Sequence, residues 1–443
     1  LINIGEPNKG SYITEKGFMY WLIEDIEQLK VFYNSSYKEA FIEIIPFNDR
    51  IHPAQNSVSL VYIRPLLASK GFMLCVDHSE TLNGVNTHIN DILDKFDKLY
   101  CRDKKEVLHY FCPKELYDIN LPPTTYIRPT TSTHELFYRQ YGDNKELNKI
   151  IPIVKHYEVC EMIWRDLKDN INKDKNKYYE FYNNRVSVVF NAIERSGIRI
   201  HNETFDEYFH PIDGEYTYTQ FNLKTTTTRP SNKFKNVNYA ALNKENGCRK
   251  SFIPRNNKLV EIDISAYHPS LAARLVNYNF PTSDIHSHFA SLYKVDYKKA
   301  KELTFKQLYG GVFKQYKELE FFQRIEKYVG DIWDKFQSDG FIECPVSGYV
   351  YKKENLDNMN PQKLFNYILQ NLETSTNVLV LWDIFCILRG YKTKLVLYTY
   401  DSFLFDFDES EYNILDEIRK LFQKYKLNIK EIEGYDYNFG ETA

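Results

Sequence analysis

No Cys-x-x-Cys pair occurs among the seven cysteines, and no short spacing between them suits a metal site. An odd, dispersed set argues against a disulfide framework and reads as reduced intracellular thiols. No run approaches the roughly 18 consecutive apolar residues of a membrane-spanning helix, so no membrane partner is expected. The N-terminus carries no signal-peptide pattern. Net charge is only −3, so whole-chain charge does not mark a nucleic-acid binder. No internal repeat or low-complexity tract stands out. The remaining class is soluble and globular, and 443 residues suffice for two or three domains.

The aromatic content is high, with 36 Tyr and 30 Phe to serve core packing and base stacking. Asn, Lys, Ile and Tyr are abundant, as in the product of an AT-rich genome, which suggests a phage or other mobile element. Charge is unevenly spread. Residues 224–258 hold nine Lys/Arg against one acid, Glu245, whereas 401–417 hold seven acids and no base.

Ala40–Pro46, Ser57–Arg64 and Gly71–Val76 read as strands separated by turn-forming residues. Helical patterns follow at 88–100 and 152–170, with Pro- and Thr-rich loops at 119–133 between them. The polar run Lys168–Lys177 is the linker candidate, dividing a first domain, 1–175, from a second, 176–443. A helix over 178–196 stops at Gly197. Strands are then expected at Leu259–Ser265, Tyr349–Lys352, Lys394–Tyr400 and Phe403–Phe407. Helices are expected at 284–294, 297–309, 314–338, 361–389 and 410–425.

Two of these strands deliver an aspartate: Asp263 in LVEIDIS and Asp401 after KLVLYTY. A carboxylate on a sheet is held rigidly and binds metal with precision. Two of them suit a pair of Mg²⁺ ions that activate a hydroxyl and stabilise leaving pyrophosphate. Between them in the chain lies a basic helix on which Lys298, Lys301, Phe305 and Tyr309 share one face. A lysine there reaches triphosphate oxygens, and the rings offer flat surfaces to sugar and base. Gly310-Gly311 ends the helix and permits a hinge. Together these are the parts of a nucleotidyl transferase. His286 and His288, two apart on a helix, point away from each other and make no metal pair. Cys75, Cys160 and Cys386 sit in apolar stretches and are expected in the core.

The order and wording of these segments resemble a family A DNA polymerase, the group of bacterial DNA polymerase I and many phage replicases. The resemblance covers about residues 152–443. Motif A is matched by Asp263-Ile264-Ser265, preceded by Arg249-Lys250-Ser251-Phe252 and followed by Asp284-Ile285-His286. Motif B is matched by Lys301, Phe305 and Tyr309-Gly310, and motif C by Asp401. A hairpin from Gly340-Phe341-Ile342 to Gly348-Tyr349-Val350 and the pair Asn366 and Gln370 lie between them in the family's order. Upstream, Thr227-Thr228-Arg229-Pro230-Ser231 echoes a primer–template segment, and Glu194-Arg195-Ser196-Gly197-Ile198 echoes the end of an apolar helix.

The resemblance implies an α+β right-hand polymerase: an antiparallel palm sheet (231–265 and 340–443), helical fingers (266–339) and a reduced thumb (176–230). Before it would stand an RNase H-like 3′–5′ exonuclease-like α/β domain. Asp263 and Asp401 would ligate two Mg²⁺ ions, Mn²⁺ substituting, with the Ile264 carbonyl assisting and Ser265 beside them. Lys301 would meet the triphosphate and protonate pyrophosphate, with Lys298 a second contact. Phe305 would pack on the sugar of the dNTP, Tyr309 would sit by the templating base, and Gly310 would let the fingers pivot. Arg229, Asn366, Gln370 and Tyr400 would touch primer–template DNA, in a minor groove whose acceptors report shape rather than sequence. A processivity factor would be a further partner, and the cytoplasm, a host's if phage-encoded, the place of action.

Three departures matter. The family's glutamate five residues after the motif A aspartate, which blocks a ribose 2′-hydroxyl, is His268 here, leaving His268 or Tyr267 as the gate. The His-Asp-Glu of motif C is Tyr400-Asp401-Ser402 here. Single-subunit phage RNA polymerases also carry serine after that aspartate and lack the motif A glutamate, so an RNA polymerase or primase stands as one alternative. A non-catalytic DNA-binding relative is the other. The first-strand Asp-x-Glu of the exonuclease is replaced within Phe41-Ile42-Glu43-Ile44, where isoleucines take the carboxylate positions and Glu43 faces the other way. With Tyr157 and Glu161 echoing its last segment, this domain is expected to be inactive.

Overall fold

Strands rich in β-branched and aromatic residues assemble the first sheet of the chain, seen in a computed structural model. The structure describes residues 11–13, 19–81, 84–122, 139–142, 144–173, 175–232 and 237–440. Two compact units divide it, Leu1–Lys175 and Asn176–Ala443, with the break inside the polar run 168–177.

In the first unit, β1 (Ser11–Ile13), β2 (Met19–Ile23), β3 (Glu39–Pro46), β4 (Val58–Pro65), β5 (Phe72–Cys75), β6 (Lys98–Cys101) and β7 (Leu116–Asp118) form one mixed sheet. Their order is β1-β2-β5-β4-β3-β6-β7. Strand β3, between β4 and β6, is buried on both faces. Ile42 and Ile44 enter one core with Phe72 and Leu99. Phe41 and Ile45 enter the other, against Tyr157, Cys160 and Trp164 of α1 (Ile153–Leu167). Each such large apolar side chain contributes about 1.5–3 kcal/mol on burial.

The expected helix over 88–100 is only partly present. A short helix, Ile89–Leu93, gives way to β6, which pairs parallel with β3 and buries Leu99, Tyr100 and Cys101. The sheet offered this apolar segment more burial than a longer helix would. Residues 123–133 of the Pro- and Thr-rich loops lie outside the described residues.

The second unit starts with the helical turns Lys177–Phe181, a π-helical turn at Tyr182–Val186, and α2 (Ser187–Ser196). Helix α2 ends at Gly197, whose φ of +64° and approach to the Tyr218 ring leave no room for a side chain. From 198 to 226 the only helix is Asn202–Tyr208, seven residues long.

Its main sheet is antiparallel, in the order β11-β12-β8-β13, from β8 (Lys258–Ile264), β11 (Lys394–Thr399), β12 (Ser402–Phe407) and β13 (Ile429–Gly434). Strand β8 buries Val260, Ile262 and Ile264 and turns Glu261 and Asp263 to the opposite, less buried side. Edge strand β13, IKEIEG, carries no apolar alternation and is mostly exposed, so its sequence shows no strand signal.

Helices α3 (Tyr267–Leu275), α4 (Ile285–Tyr293), α5 (Tyr297–Gly310) and α6 (Glu320–Asp339) follow β8. The hairpin β9 (Phe341–Glu343) and β10 (Val350–Lys352) leads to α7 (Pro361–Ile387), with α8 (Asn413–Lys424) before β13. The expected helix 314–338 starts later, at Glu320, after a 3₁₀ turn at Lys314–Tyr316. The 27-residue α7 begins at an Asn360 cap followed by Pro361, and most of it is buried. Among the described residues no helix is long and apolar enough to cross a membrane.

Candidate active site

The registers of β8 bring the two aspartates together. Asp263 stands opposite Ser402 on β12 and opposite Lys430 on β13. The Ile264 N–H donates to the Asp401 carbonyl at 2.7 Å, tying the tip of the β11–β12 hairpin to the end of β8. That tip is Tyr400-Asp401, and Tyr400 has φ +63°. A bulky residue there costs about 1–3 kcal/mol and persists only where its surroundings hold it. Asn377 Nδ2 donates to the Tyr400 carbonyl at 2.7 Å, and the Arg229 guanidinium lies 3.8 Å over the Tyr400 ring.

Asp263 and Asp401 line one cavity of about 460 Å³, and so do Ile264, Ser265, His268, Lys301, Phe305, Tyr309, Arg229 and Tyr400. Burial raises the Asp263 carboxyl to about 6, helped by the charges of Asp401 and Glu261 and opposed by Lys244 and Lys301. Desolvation also raises Asp401, with Glu373 adding to it. Arg229 and Lys301 oppose that rise. Four carboxylates face five Lys/Arg side chains around the space. Two clustered aspartates and a surrounding set of lysines and arginines suit a divalent cation and a polyanion together.

Helix α5 turns a stripe at spacing four to the cavity: Tyr297, Lys301, Phe305 and Tyr309. Phe305 and Tyr309 are stacked, with centroids 5.9 Å apart and planes 10° from parallel. Lys298 is exposed and outside the lining, one step round the helix; Tyr297 takes that place in the stripe. Gly310, exposed, ends α5 beyond the lining.

Asn366 and Gln370 are half-buried on α7, also outside the lining. Asn366 Nδ2 donates to the Tyr309 carbonyl at 3.2 Å, while its Oδ1 is buried without a partner. Their spacing continues along the helix to Glu373 and Asn377, which sequence reasoning missed. Asn377 accepts from Tyr267 Oη and donates to Tyr398 Oη, each at 2.7 Å. Glu373 is 2% exposed and lines the cavity. It accepts from His268 Nε2 at 2.7 Å and from Arg229 Nη2 at 3.4 Å. His268 Nδ1 meets Tyr309 Oη at 2.5 Å.

Glu261, His286, Lys430 and Lys244 are among the other lining residues that went unread as site residues. Glu261, two before Asp263 on the same face of β8, accepts from the Ser402 hydroxyl, so a carboxylate lies beside position 402 after all. Strand alternation signals it. His286 is buried with an unpartnered Nδ1 and lies beside Lys301; burial, then the lysine, lower it to about 4, so it is neutral at pH 7. Lys430 comes from the unpredicted β13, and Lys244 from the basic stretch. Of that stretch, Lys233 and Lys235 lie outside the described residues.

In the first unit, Glu43 shares its face with Phe41 and Ile45, the α1 side, and is bound by Arg102 at 2.8 Å. Glu161 accepts from Tyr62, Tyr157 and Arg64 at 2.7, 2.9 and 3.2 Å. Among the described residues no cluster of three or more His, Cys, Asp or Glu is arranged to hold a metal.

No family model matches the chain, and no curated protein matches it. Among solved structures its fold is similar to the polymerase domain of Pol1 from M. smegmatis, in complex with DNA primer-template and dNTP. The TM-score is 0.71 at 13% identity, covering 94% of this chain and 99% of that one. The likeness places the chain's mixed α/β architecture with the polymerase-domain fold of DNA polymerase I.

Proposed function

We propose that the chain is a template-directed DNA polymerase of the family A type, adding dNTPs to a primer 3′-hydroxyl and releasing pyrophosphate. The observation that carries this reading is the convergence of Asp263, Asp401 and Lys301 on one cavity, in a fold like that of a polymerase bound to primer-template and dNTP.

Asp263, Asp401 and the Ile264 carbonyl offer only oxygen donors, the set a hard divalent cation takes. Crowding of the two carboxylates fits such a partner. Bound there, two Mg²⁺ ions supply Lewis-acid activation of the 3′-hydroxyl and charge neutralisation at the departing phosphates. The chain's own side chains bind and orient. Lys301, neutral His286 and Lys430 face the triphosphate, and Lys301 Nζ gives a proton to the pyrophosphate oxygen as the bond to the α-phosphorus breaks. Phe305 and Tyr309 present the flat stripe for sugar and base. Arg229, held on Tyr400, reaches the primer end, and Asn366 and Gln370 continue that line along α7.

The first unit is read as an exonuclease-like domain without activity. Glu161, with both hydroxyls and Arg64 on one oxygen, and Glu43, held by Arg102, are committed to internal pairs. Degradation of single-stranded DNA with Mg²⁺, abolished by Glu161→Ala, would overturn that reading. Polymer synthesis is tested by primer extension with dNTPs or rNTPs on templates of different sequence. DNA whose sequence follows the template, lost in Asp401→Ala, supports the proposal. Extension with rNTPs alone favours the RNA polymerase, and no extension favours the binding relative.

A further inference from the structure

We infer that Glu373 is the positioning residue of a sugar-discriminating wall made by His268 and Tyr309. The inference rests on the polymerase reading of the cavity and deepens it.

Position 268 carries no carboxylate of its own, yet its imidazole is fixed from both sides. Glu373, reaching in from α7, accepts from Nε2 at 2.7 Å. A carboxylate acceptor puts the ring proton on Nε2, so Nδ1 is the acceptor for the Tyr309 hydroxyl at 2.5 Å. The rings of His268 and Tyr309 meet nearly edge-on, centroids 5.7 Å apart. Behind them Glu373 also pairs with Arg229, which rests on Tyr400. The chain Tyr309–His268–Glu373–Arg229 thus links α5 to the β11–β12 hairpin along the cavity lining.

This wall has a consequence for sugars. The ring nitrogens of His268 and the hydroxyl hydrogen of Tyr309 are already used. A 2′-hydroxyl pressed against the wall loses water and finds no free donor or ring nitrogen to replace it, whereas a 2′-deoxy carbon loses nothing. Glu373 never touches the nucleotide. It acts by denying the imidazole the freedom to turn aside or to offer Nε2–H to the extra hydroxyl. A carboxylate from α7 therefore does, through a histidine, the work of a carboxylate at 268.

The test is single-nucleotide insertion opposite a template G, comparing kcat/KM for dCTP and CTP. Wild type is expected to prefer dCTP. Glu373→Ala is expected to lower the dCTP/CTP ratio by about tenfold or more, mainly by a fall in KM for CTP. Glu373→Gln, whose amide oxygen still accepts from Nε2–H, is expected to restore most of it. Tyr309→Phe, which releases the other end of the imidazole, is expected to shift the ratio the same way by a smaller factor. If Glu373→Ala does not fold, Tyr309→Phe decides. A folded Glu373→Ala or Tyr309→Phe with an unchanged ratio, or with both efficiencies falling together, overturns the wall while leaving the polymerase reading intact. A wild type that uses both nucleotides equally also overturns it. A wild type that extends no primer overturns the polymerase reading and the wall with it.

Discussion

The backbone N–H of Ile264 donates to the carbonyl of Asp401 at 2.7 Å, although 137 positions separate the two residues in sequence. This bond joins the end of β8 to the tip of the β11–β12 hairpin. It makes the placement of the two aspartates a property of the sheet rather than of a loop.

Such crowding has a measurable price in the metal-free protein. Burial and the neighbouring acids raise Asp263 to about 6 in the folded chain, above about 3.9 in an unfolded one. Between those values the folded state binds more protons, so this group lowers stability as pH rises through the window. Asp263→Asn is expected to melt higher than wild type at pH 8 without divalent cation, the gain shrinking as pH falls toward 4. Mg²⁺ is expected to raise the melting temperature of wild type more than that of the variant. Equal Mg²⁺ shifts would remove Asp263 from the metal site.

His286 works in the opposite direction. Its folded pKa of about 4 lies below the ordinary 6.5, so protonation favours the unfolded chain. Its contribution to stability is present above 6.5 and lost as pH falls toward 4. His286→Gln is expected to flatten the fall in melting temperature over that range. An unchanged slope would show that the ring is not held neutral.

Asn377 is fully buried and satisfies Tyr267, Tyr398 and the strained Tyr400 carbonyl. Asn377→Leu, of similar volume, strands these groups. Urea unfolding of the variant is expected to show a loss of about 3 kcal/mol. A loss under about 0.5 kcal/mol would mean the hairpin tip is held by other contacts.

Between 198 and 226 there is one seven-residue helix and no long pair to grip a duplex. Synthesis by the isolated chain is expected to be distributive. In the presence of a DNA trap, products of a few added nucleotides are predicted, and long products from one binding event would contradict this.

Much of the site was legible because its parts are local and periodic. The apolar strands around Asp263 and Asp401 and the spacing of Lys301, Phe305 and Tyr309 carry their own signal. The two departures at 268 and 402 were legible as losses but not as replacements. Glu373 and Glu261 supply carboxylates at those places, from 105 positions away along α7 and from 141 positions away across β8. Only the tertiary register brings them in. Strand β13 and its Lys430 escaped notice because an exposed polar edge strand has no alternation to read. Tyr297 rather than Lys298 joined the α5 stripe because strict spacing of four keeps to one row of the helix, whereas spacing of three drifts off it.

The central claim is that Asp263 and Asp401 form one catalytic pair. Single-turnover incorporation of a correct dNTP by wild type, Asp263→Asn and Asp401→Asn, alongside primer–template affinity, tests it most directly. Each substitution is predicted to slow incorporation by about 10³-fold while leaving DNA affinity within about tenfold. Wild-type incorporation rates in either variant would contradict the account.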